Sequence, residues 1–369
     1  MRILALCKRR PQGRDLLNRP YGRFFHIPYY LAQQGHQVFL LLLSYKDDPA
    51  EYRYQHGFDW YSESLRPVIG NHGVGRYLAR IRILIETTRP DWIVGFSDTW
   101  YGILAQHLGA RYGIKTLIDA YDNYESYIPW AKPLHWAWRH ACREASVLTA
   151  AGPNLLRWIA KDWPSEENTF VVPMAADPIF QPMDRDLCRN QLGLPLENPL
   201  VGYCGSLYRS RGIETLFDAI EHLQGLAPSV RFVFSGRRQE NVVIPRKIKD
   251  VIIEQGYLLD EQVPLLVNAL DVVLVINRQS SFGIYSYPAK LYEAMRCSVP
   301  VVATAVEGTA WILRHYPECL VEVGNAQEMA NRVREALGWG RRYYIDCGAW
   351  KDSVEGLLRF LEGRDNLII

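Results

Sequence analysis

The sequence predicts two consecutive α/β domains, each a doubly wound parallel sheet, and three observations lead there. The chain has 369 residues, more than one ordinary domain holds. Apolar bursts of strand length alternate with amphipathic stretches of helix length, the grammar of βαβ units. That alternation breaks once, at MAADPIFQPM (174–183), and then restarts.

The first half opens with ILALC (3–7), a helix over 28–34 and VFLLLL (38–43), followed by a helix over 75–88 and DWIVGF (91–96). It continues with a helix over 102–112, TLID (116–119), a Trp-rich helix over 134–143, SVLTA (146–150) and FVVP (170–173). Strands this continuously apolar suit one parallel sheet covered on both faces. Proline-rich 174–183 reads as the linker. Beyond it come LVGYC (200–204), a helix over 213–223, RFVFSG (231–236), DVVLVI (271–276), a helix over 288–296 and VPVVAT (299–304). A final helix over 350–361 carries Trp350, Val354, Leu357, Leu358 and Leu361 on one face. The expected organisation is therefore 1–175, 176–348 and a last segment, 349–369, that returns to the first domain.

Composition narrows the functional classes. Apolar residues at 48% and charged residues at 22% describe a globular chain, not a disordered or fibrous one. A net charge of +2 offers no concentrated basic face, so nucleic acid is not expected as a partner. Seven scattered cysteines read as reduced thiols, and MRILALC followed by Lys8, Arg9 and Arg10 has the wrong order for a secretory leader, so the expected location is the cytoplasm. The longest apolar run, 38–43, is far shorter than the ~20 residues of a spanning helix. HWAWRH (135–140) reads as a helix packed on a sheet, with an aromatic and basic face that also suits peripheral contact with a membrane.

Two doubly wound domains imply a ligand cleft at the carboxyl ends of the strands. In GYCGSLYRSRGIETLFDAI (202–220), a strand ends at Gly205, a polar loop carries Ser206, Arg209 and Arg211, and Gly212 opens a helix. Two guanidiniums beside a helix N-terminus suit a diphosphate, although a solvated turn has the same spacing. In SFGIYSYPAKLYEAMRCSVPVVAT (281–304), Pro288 stands at the expected first helical position, with Lys290 and Glu293 one turn apart. Glu293 there suits the two hydroxyls of a ribose, and the N–H groups of Tyr287, Ala289 and Lys290 suit phosphate oxygens. The spacing fits an ordinary surface ion pair equally well.

Together the two stretches resemble the nucleotide-sugar domain of glycosyltransferase family 4, retaining enzymes of the GT-B fold, in which two Rossmann-like domains face each other. The family's marks are a basic residue just before the glycine that opens the helix, then a Glu-bearing helix, then a strand of the form GVPVVAT. RSRGIETLFDAI and KLYEAMRCSVPVVATAVEGT follow that order. More weakly, 20–42 resembles the family's first glycine loop, helix and second strand, and VVPMAADPIF its hinge.

The resemblance implies a glycosyltransferase acting from a nucleotide-diphosphate sugar on a saccharide or lipid-linked acceptor. Arg211 would neutralise the diphosphate and Glu293 would hold the ribose, with Ser206, Arg209, Tyr287, Ala289, Lys290 and Leu291 completing the donor site. Gly22 would admit backbone to the phosphates, and Asp122 would line the sugar and acceptor side. It also implies no metal, which sets aside Asp119 and Asp122 as a paired cation site. Three positions depart from the family: Ser206 replaces a basic residue, for which Arg209 is the expected substitute, Tyr285 replaces a glutamate eight positions before Glu293, and Tyr121 replaces a histidine. A GT-B-like sugar-nucleotide epimerase and a non-catalytic nucleotide-sugar-binding subunit are the competing readings.

Overall fold

The computed structural model describes residues 1–66, 73–161, 166–345 and 347–365. The chain forms two compact units, Met1–Met174 with Trp350–Ile369, and Ala175–Ala349.

The first unit runs β1 (Arg2–Lys8), α1 (Arg23–Gln33), β2 (Gln37–Ser44), β3 (Glu51–Gln55), β4 (Phe58–Ser64), α2 (Gly73–Thr88), β5 (Trp92–Gly95) and α3 (Thr99–Tyr112). It continues with β6 (Lys115–Ala120), α4 (Lys132–Glu144), β7 (Val147–Ala150), α5 (Pro153–Ala160) and β8 (Thr169–Val171). Its eight strands lie in the order β3-β4-β2-β1-β5-β6-β7-β8. The expected all-parallel sheet is corrected at one edge, where β3 runs antiparallel to β4. Its sequence EYRYQ alternates half-buried and exposed positions, as an edge strand with one wet face does, and carries none of the apolar burst that marks β1 or β2.

The second unit runs α6 (Arg185–Leu192), β9 (Leu200–Cys204), α7 (Ile213–Leu226), β10 (Arg231–Ser235), β11 (Ile252–Gly256), α8 (Gln262–Ala269) and β12 (Val272–Val275). Next come α9 (Ala289–Arg296), β13 (Val301–Thr304), α10 (Glu307–Ile312), β14 (Leu320–Val321) and α11 (Ala326–Ala336). Its six strands are all parallel, in the order β11-β10-β9-β12-β13-β14. The segment 174–183 contains neither helix nor strand. After it Asp184 caps α6, its carboxylate accepting from the Leu187 N–H at 2.8 Å.

The last helix, α12 (Trp350–Asp365), packs in the first unit. Its five stripe residues are all buried, and Trp350 stacks on His26 of α1 with ring centroids 5.4 Å apart. Phe360 meets Phe170 of β8 at 5.0 Å. Of the expected segment 349–369, residues 366–369 lie outside the described residues.

Helix α1 begins at Arg23, not at Pro28, which stands inside it. Here the Gly22 turn and a buried side chain start the helix one turn and more earlier. Arg23 is buried, its Nε donating to Asp119 Oδ2 at 2.8 Å and its Nη2 to Oδ1 at 2.6 Å. Asp119 also accepts from the Thr149 hydroxyl at 2.6 Å, and Arg23 Nη1 donates to the Val172 carbonyl at 3.2 Å. One guanidinium thus joins α1 to β6 and to the residue after β8, and through Asp119 to β7.

Removing one partner from such a pair leaves a buried charge uncompensated. Asp119→Ala should lower the stability of the first unit by roughly 3–5 kcal/mol, read as a shifted urea midpoint. Arg23→Met combined with Asp119→Leu should recover most of that loss, because an apolar replacement strands no charge.

Candidate functional site

In the second unit the sequence-predicted residues gather at the carboxyl ends of β9 and β12, neighbouring parallel strands. That edge is where open parallel sheets bind ligands. Gly205 follows β9 at φ 148, and a Cβ on Gly236, after β10, would stand 2.4 Å from the Gly205 carbonyl oxygen. The two strand ends therefore abut through glycine. Beyond them a turn over Arg209–Arg211 leads to Gly212, which takes φ 86 and hands the chain to α7.

Arg211 and Arg209 part company in this turn. Arg211 is half-buried, its guanidinium 4.6 Å from the Phe282 ring centroid and its Nη1 directed at Asn277 Oδ1 at 3.4 Å. Arg209 is exposed and faces Glu214, on the first turn of α7, at 3.7 Å. Lys290 is the cation beside Gly205: its ammonium lies 4.2 Å from the Tyr203 ring centroid and 3.4 Å from where a Gly205 Cβ would stand. The Tyr203 hydroxyl donates to the Ser206 carbonyl at 3.2 Å, fixing the start of the loop.

Helix α9 begins at Ala289, with Pro288 as the residue before it and not as its first helical position. Pro288 has an extended backbone, which sets Ala289 and Lys290 in the first turn, where N–H groups lack intrahelical partners. Leu291 is a correction among the proposed donor ligands. It is fully buried and its N–H donates to the Pro288 carbonyl at 3.0 Å, so it seats the helix. Tyr287 is buried edge-on to Trp311 at 5.7 Å. Glu293 is half-buried one turn after Lys290, and both act on the Cys204 thiol. Burial pushes that thiol up to about 12, with Lys290 opposing and Glu293 adding to the shift.

The first unit holds Gly22 and Asp122. Gly22 precedes α1 at φ 61 and ψ −165, a region that only glycine adopts without strain, and its carbonyl accepts from the N–H groups of Phe25 and His26. Asp122 is buried and accepts from the Tyr127 hydroxyl at 2.6 Å. Phe24 meets Tyr121 edge-on at 5.2 Å, so the Gly22 turn and the Tyr121–Asp122 loop lie on the same edge of the sheet. Asp119 accepts from Arg23 and Thr149, and Asp122 accepts from Tyr127. Among the described residues no three His, Cys, Asp or Glu side chains are grouped to hold a metal ion.

Two features of these edges escaped the sequence. Asn277, directly after DVVLVI, is buried, and its Nδ2 has no hydrogen-bond partner while its Oδ1 faces Arg211. The apolar run before it gave no sign that the next side chain turns to the arginine loop. In the first unit, Ser97 takes φ 70 after β5 and its hydroxyl accepts from the Lys8 N–H at 3.0 Å. Asp98 follows, its carboxyl raised by burial against the opposing pull of the Lys8 ammonium 4.0 Å away.

Two family models match the chain in succession. The glycosyl transferase 4-like domain matches residues 26–175, and glycosyl transferases group 1 matches residues 198–338. The 2-deoxystreptamine glucosyltransferase of Streptomyces kanamyceticus is 25% identical over 210 residues, 54% of this chain and 53% of that protein. The chain spans 34% to 60% of the length of the first curated relatives it matches. Sucrose-phosphate synthase from Thermosynechococcus elongatus superposes with a TM-score of 0.74 at 17% identity, over 100% of both chains. Anabaena HepE in complex with UDP-glucose gives 0.71 at 16% identity, over 99% of this chain and 100% of that one. At such identities these two structures speak for the fold, which is GT-B. With both family models matched in order over most of its length, the chain belongs to the group 1, family-4-like glycosyltransferases.

Proposed function

We propose that this protein is a retaining glycosyltransferase that takes a sugar from a nucleotide-diphosphate donor held by the second unit and passes it to a saccharide or lipid-linked acceptor, without a metal, in the cytoplasm. The observation that carries the donor site is the pair of cations, Arg211 and Lys290, laid on aromatic rings at the adjoining ends of β9 and β12 beside the N-terminus of α9. Such an edge suits a diphosphate, and Glu293 one turn along α9 suits the ribose.

Breaking the anomeric C–O bond places the electron pair on the β-phosphate oxygen. Arg211, Lys290 and the free N–H groups of α9 then meet more negative charge in the transition state than in the bound donor, and that difference lowers the barrier. The acceptor hydroxyl oxygen bonds to the anomeric carbon and its proton passes to the leaving phosphate, so a protein base is optional and no side chain has to act as a covalent nucleophile. Asp122 and Asp98 are the carboxyl groups of the first unit assigned to the acceptor and sugar side. Support for a cytoplasmic setting is that all seven cysteines are free thiols. No helix among the described residues is long and apolar enough to cross a membrane.

Incubation with radiolabelled nucleotide sugars, with and without acceptors, tests the whole reading. Label in a glycoside supports it, whereas an epimerised donor, or binding with no turnover, overturns it.

Glu293→Ala should weaken binding of free nucleoside diphosphate and of every donor sugar alike, because the ribose is common to all of them. Calorimetry that returns unchanged affinities removes Glu293 from that role. Asn277→Asp should weaken nucleoside diphosphate binding by roughly tenfold, since a carboxylate facing Arg211 competes with phosphate for the guanidinium. Arg211→Ala should cut turnover by roughly a hundredfold or more, the scale of one lost oxyanion donor. Arg211→Lys should restore much of it, and Arg209→Ala should change little. The reverse ranking in steady-state kinetics would give the diphosphate to Arg209.

A further inference from the structure

The first unit's sheet ends in an edge strand that lacks the usual guards. Strand β3 stands last in the strand order and pairs with β4 alone. Their hairpin closes through His56 and Gly57, at φ 57 and 86, the two left-handed residues of a tight two-residue turn. Such a turn makes Gln55 and Phe58 a hydrogen-bonded pair, and by alternation Arg53 with Trp60 and Glu51 with Ser62. The residues between, Tyr52 and Tyr54, therefore direct their N–H and C=O groups away from β4.

Bulges, prolines and outward charges ordinarily protect such an edge. Strand β3 contains no proline and keeps register with β4 throughout. Its two charged side chains, Glu51 and Arg53, lie on the half-buried face, where Glu51 meets Arg53 at 2.5 Å and Arg9 at 3.0 Å. The opposite face is aromatic. Tyr52 is 58% exposed and Tyr54 68%, and Tyr52 meets Tyr61 of β4 with ring centroids 5.1 Å apart. Helix α2 covers that face, with Arg80 over the Tyr61 ring at 5.9 Å, and Ile83 one turn further on is exposed as well.

A second copy of β3 fits this edge antiparallel in one register. With Tyr52 opposite its own counterpart, Glu51 of each copy faces Arg53 of the other, so opposite charges meet twice. Tyr52 exchanges backbone bonds with Tyr52, and Tyr54 with Ala50. Pro49, which has no N–H, falls opposite Gln55, at a place where no bond is needed. The other registers fail. Setting Tyr52 against Tyr54 brings Arg53 against its own copy, and centring the pair on Tyr54 brings Tyr52 against His56, where the chain already turns.

We propose that β3 is the homodimer interface of this protein, two copies pairing antiparallel across a dyad at Tyr52 and joining their eight-stranded sheets into one. Self-association needs neither donor nor acceptor, so the inference stands or falls apart from the transfer reaction.

Sedimentation velocity of the full chain over a range of concentrations should show a dimer that dissociates on dilution. Tyr52→Pro removes an outward N–H and no bond to β4, so it should give a monomer with an unchanged circular dichroism spectrum. Arg53→Glu, which sets like charges opposite each other twice, should raise the dimer dissociation constant roughly tenfold. Tyr343→Ser, which removes an 80% exposed ring of the second unit, should leave the dimer intact. Under mild oxidation Tyr52→Cys should form a disulfide-linked dimer that the parent chain does not, because counterparts in a hydrogen-bonded pair have Cα atoms about 5.5 Å apart. Tyr54→Cys should not, because its two copies stand roughly 13 Å apart along the strands. A monomer at every concentration, a dimer that survives both Tyr52→Pro and Arg53→Glu, a dimer lost with Tyr343→Ser, or cross-linking at 54 and not at 52 overturns the proposal.

Discussion

The buried pair of Arg23 and Asp119 is the constraint on which the first unit turns. A guanidinium and a carboxylate removed from water cost several kcal/mol each unless every hydrogen-bonding group is met. Here two bonds join the charges, Thr149 takes a share of the carboxylate, and the Val172 carbonyl takes a further guanidinium proton. Meeting those demands fixes the start of α1 over β6 and β7. It also fixes what stands on either side in sequence: Gly22 before Arg23, and Tyr121 with Asp122 after β6. Two loops distant along the chain are thereby held to one edge by a pair that is itself buried.

Packing of α12 follows from the same geometry. With α1 anchored at its first residue, His26 one turn on presents its ring to Trp350, and β8 presents Phe170 to Phe360. The chain's last described helix covers apolar surface left by its first. A stripe of Trp350, Val354, Leu357, Leu358 and Leu361 declares in sequence that it must be buried. Only the partners name the place, and rings at positions 26 and 170 carry no such label.

Legibility tracks how local the signal is. The apolar parallel strands were readable because burial on both faces leaves an uninterrupted run, as in VVLV of β12. The β3–β4 hairpin was not, since EYRYQ is an edge strand and FDWYSES, between it and β2, mixes polar and aromatic residues without an apolar run. Helices α5, α6 and α8 are each eight residues long, too short for a periodic pattern to stand out, and α9, equally short, was legible through its motif and not its period. Within the proposed donor site, Arg211, Lys290 and Glu293 were singled out by motif. Asn277 and Arg23 were not, because an isolated polar side chain in sequence does not announce that it will be buried, or against what.

The cations of the two units show why the same residue type serves two ends. Arg23 of the first unit is paired with a buried carboxylate, and exposed Arg209 of the second faces Glu214. Arg211 instead meets a neutral amide and the face of Phe282, and Lys290 meets the face of Tyr203. A ring face holds a cation through its quadrupole and restricts its rotamers, yet brings no compensating unit charge. Arg211 and Lys290 are thus positioned by groups that leave their charge to act outward. For an incoming diphosphate that matters twice. No protein carboxylate has to be displaced from Arg211 Nη1, since Asn277 offers only an amide oxygen at 3.4 Å, and part of the side-chain ordering cost is met before the anion arrives. A solvated turn with arginines of the same spacing would have neither property, and that supports the diphosphate reading of the 205–212 loop against the solvated turn that its sequence alone favoured.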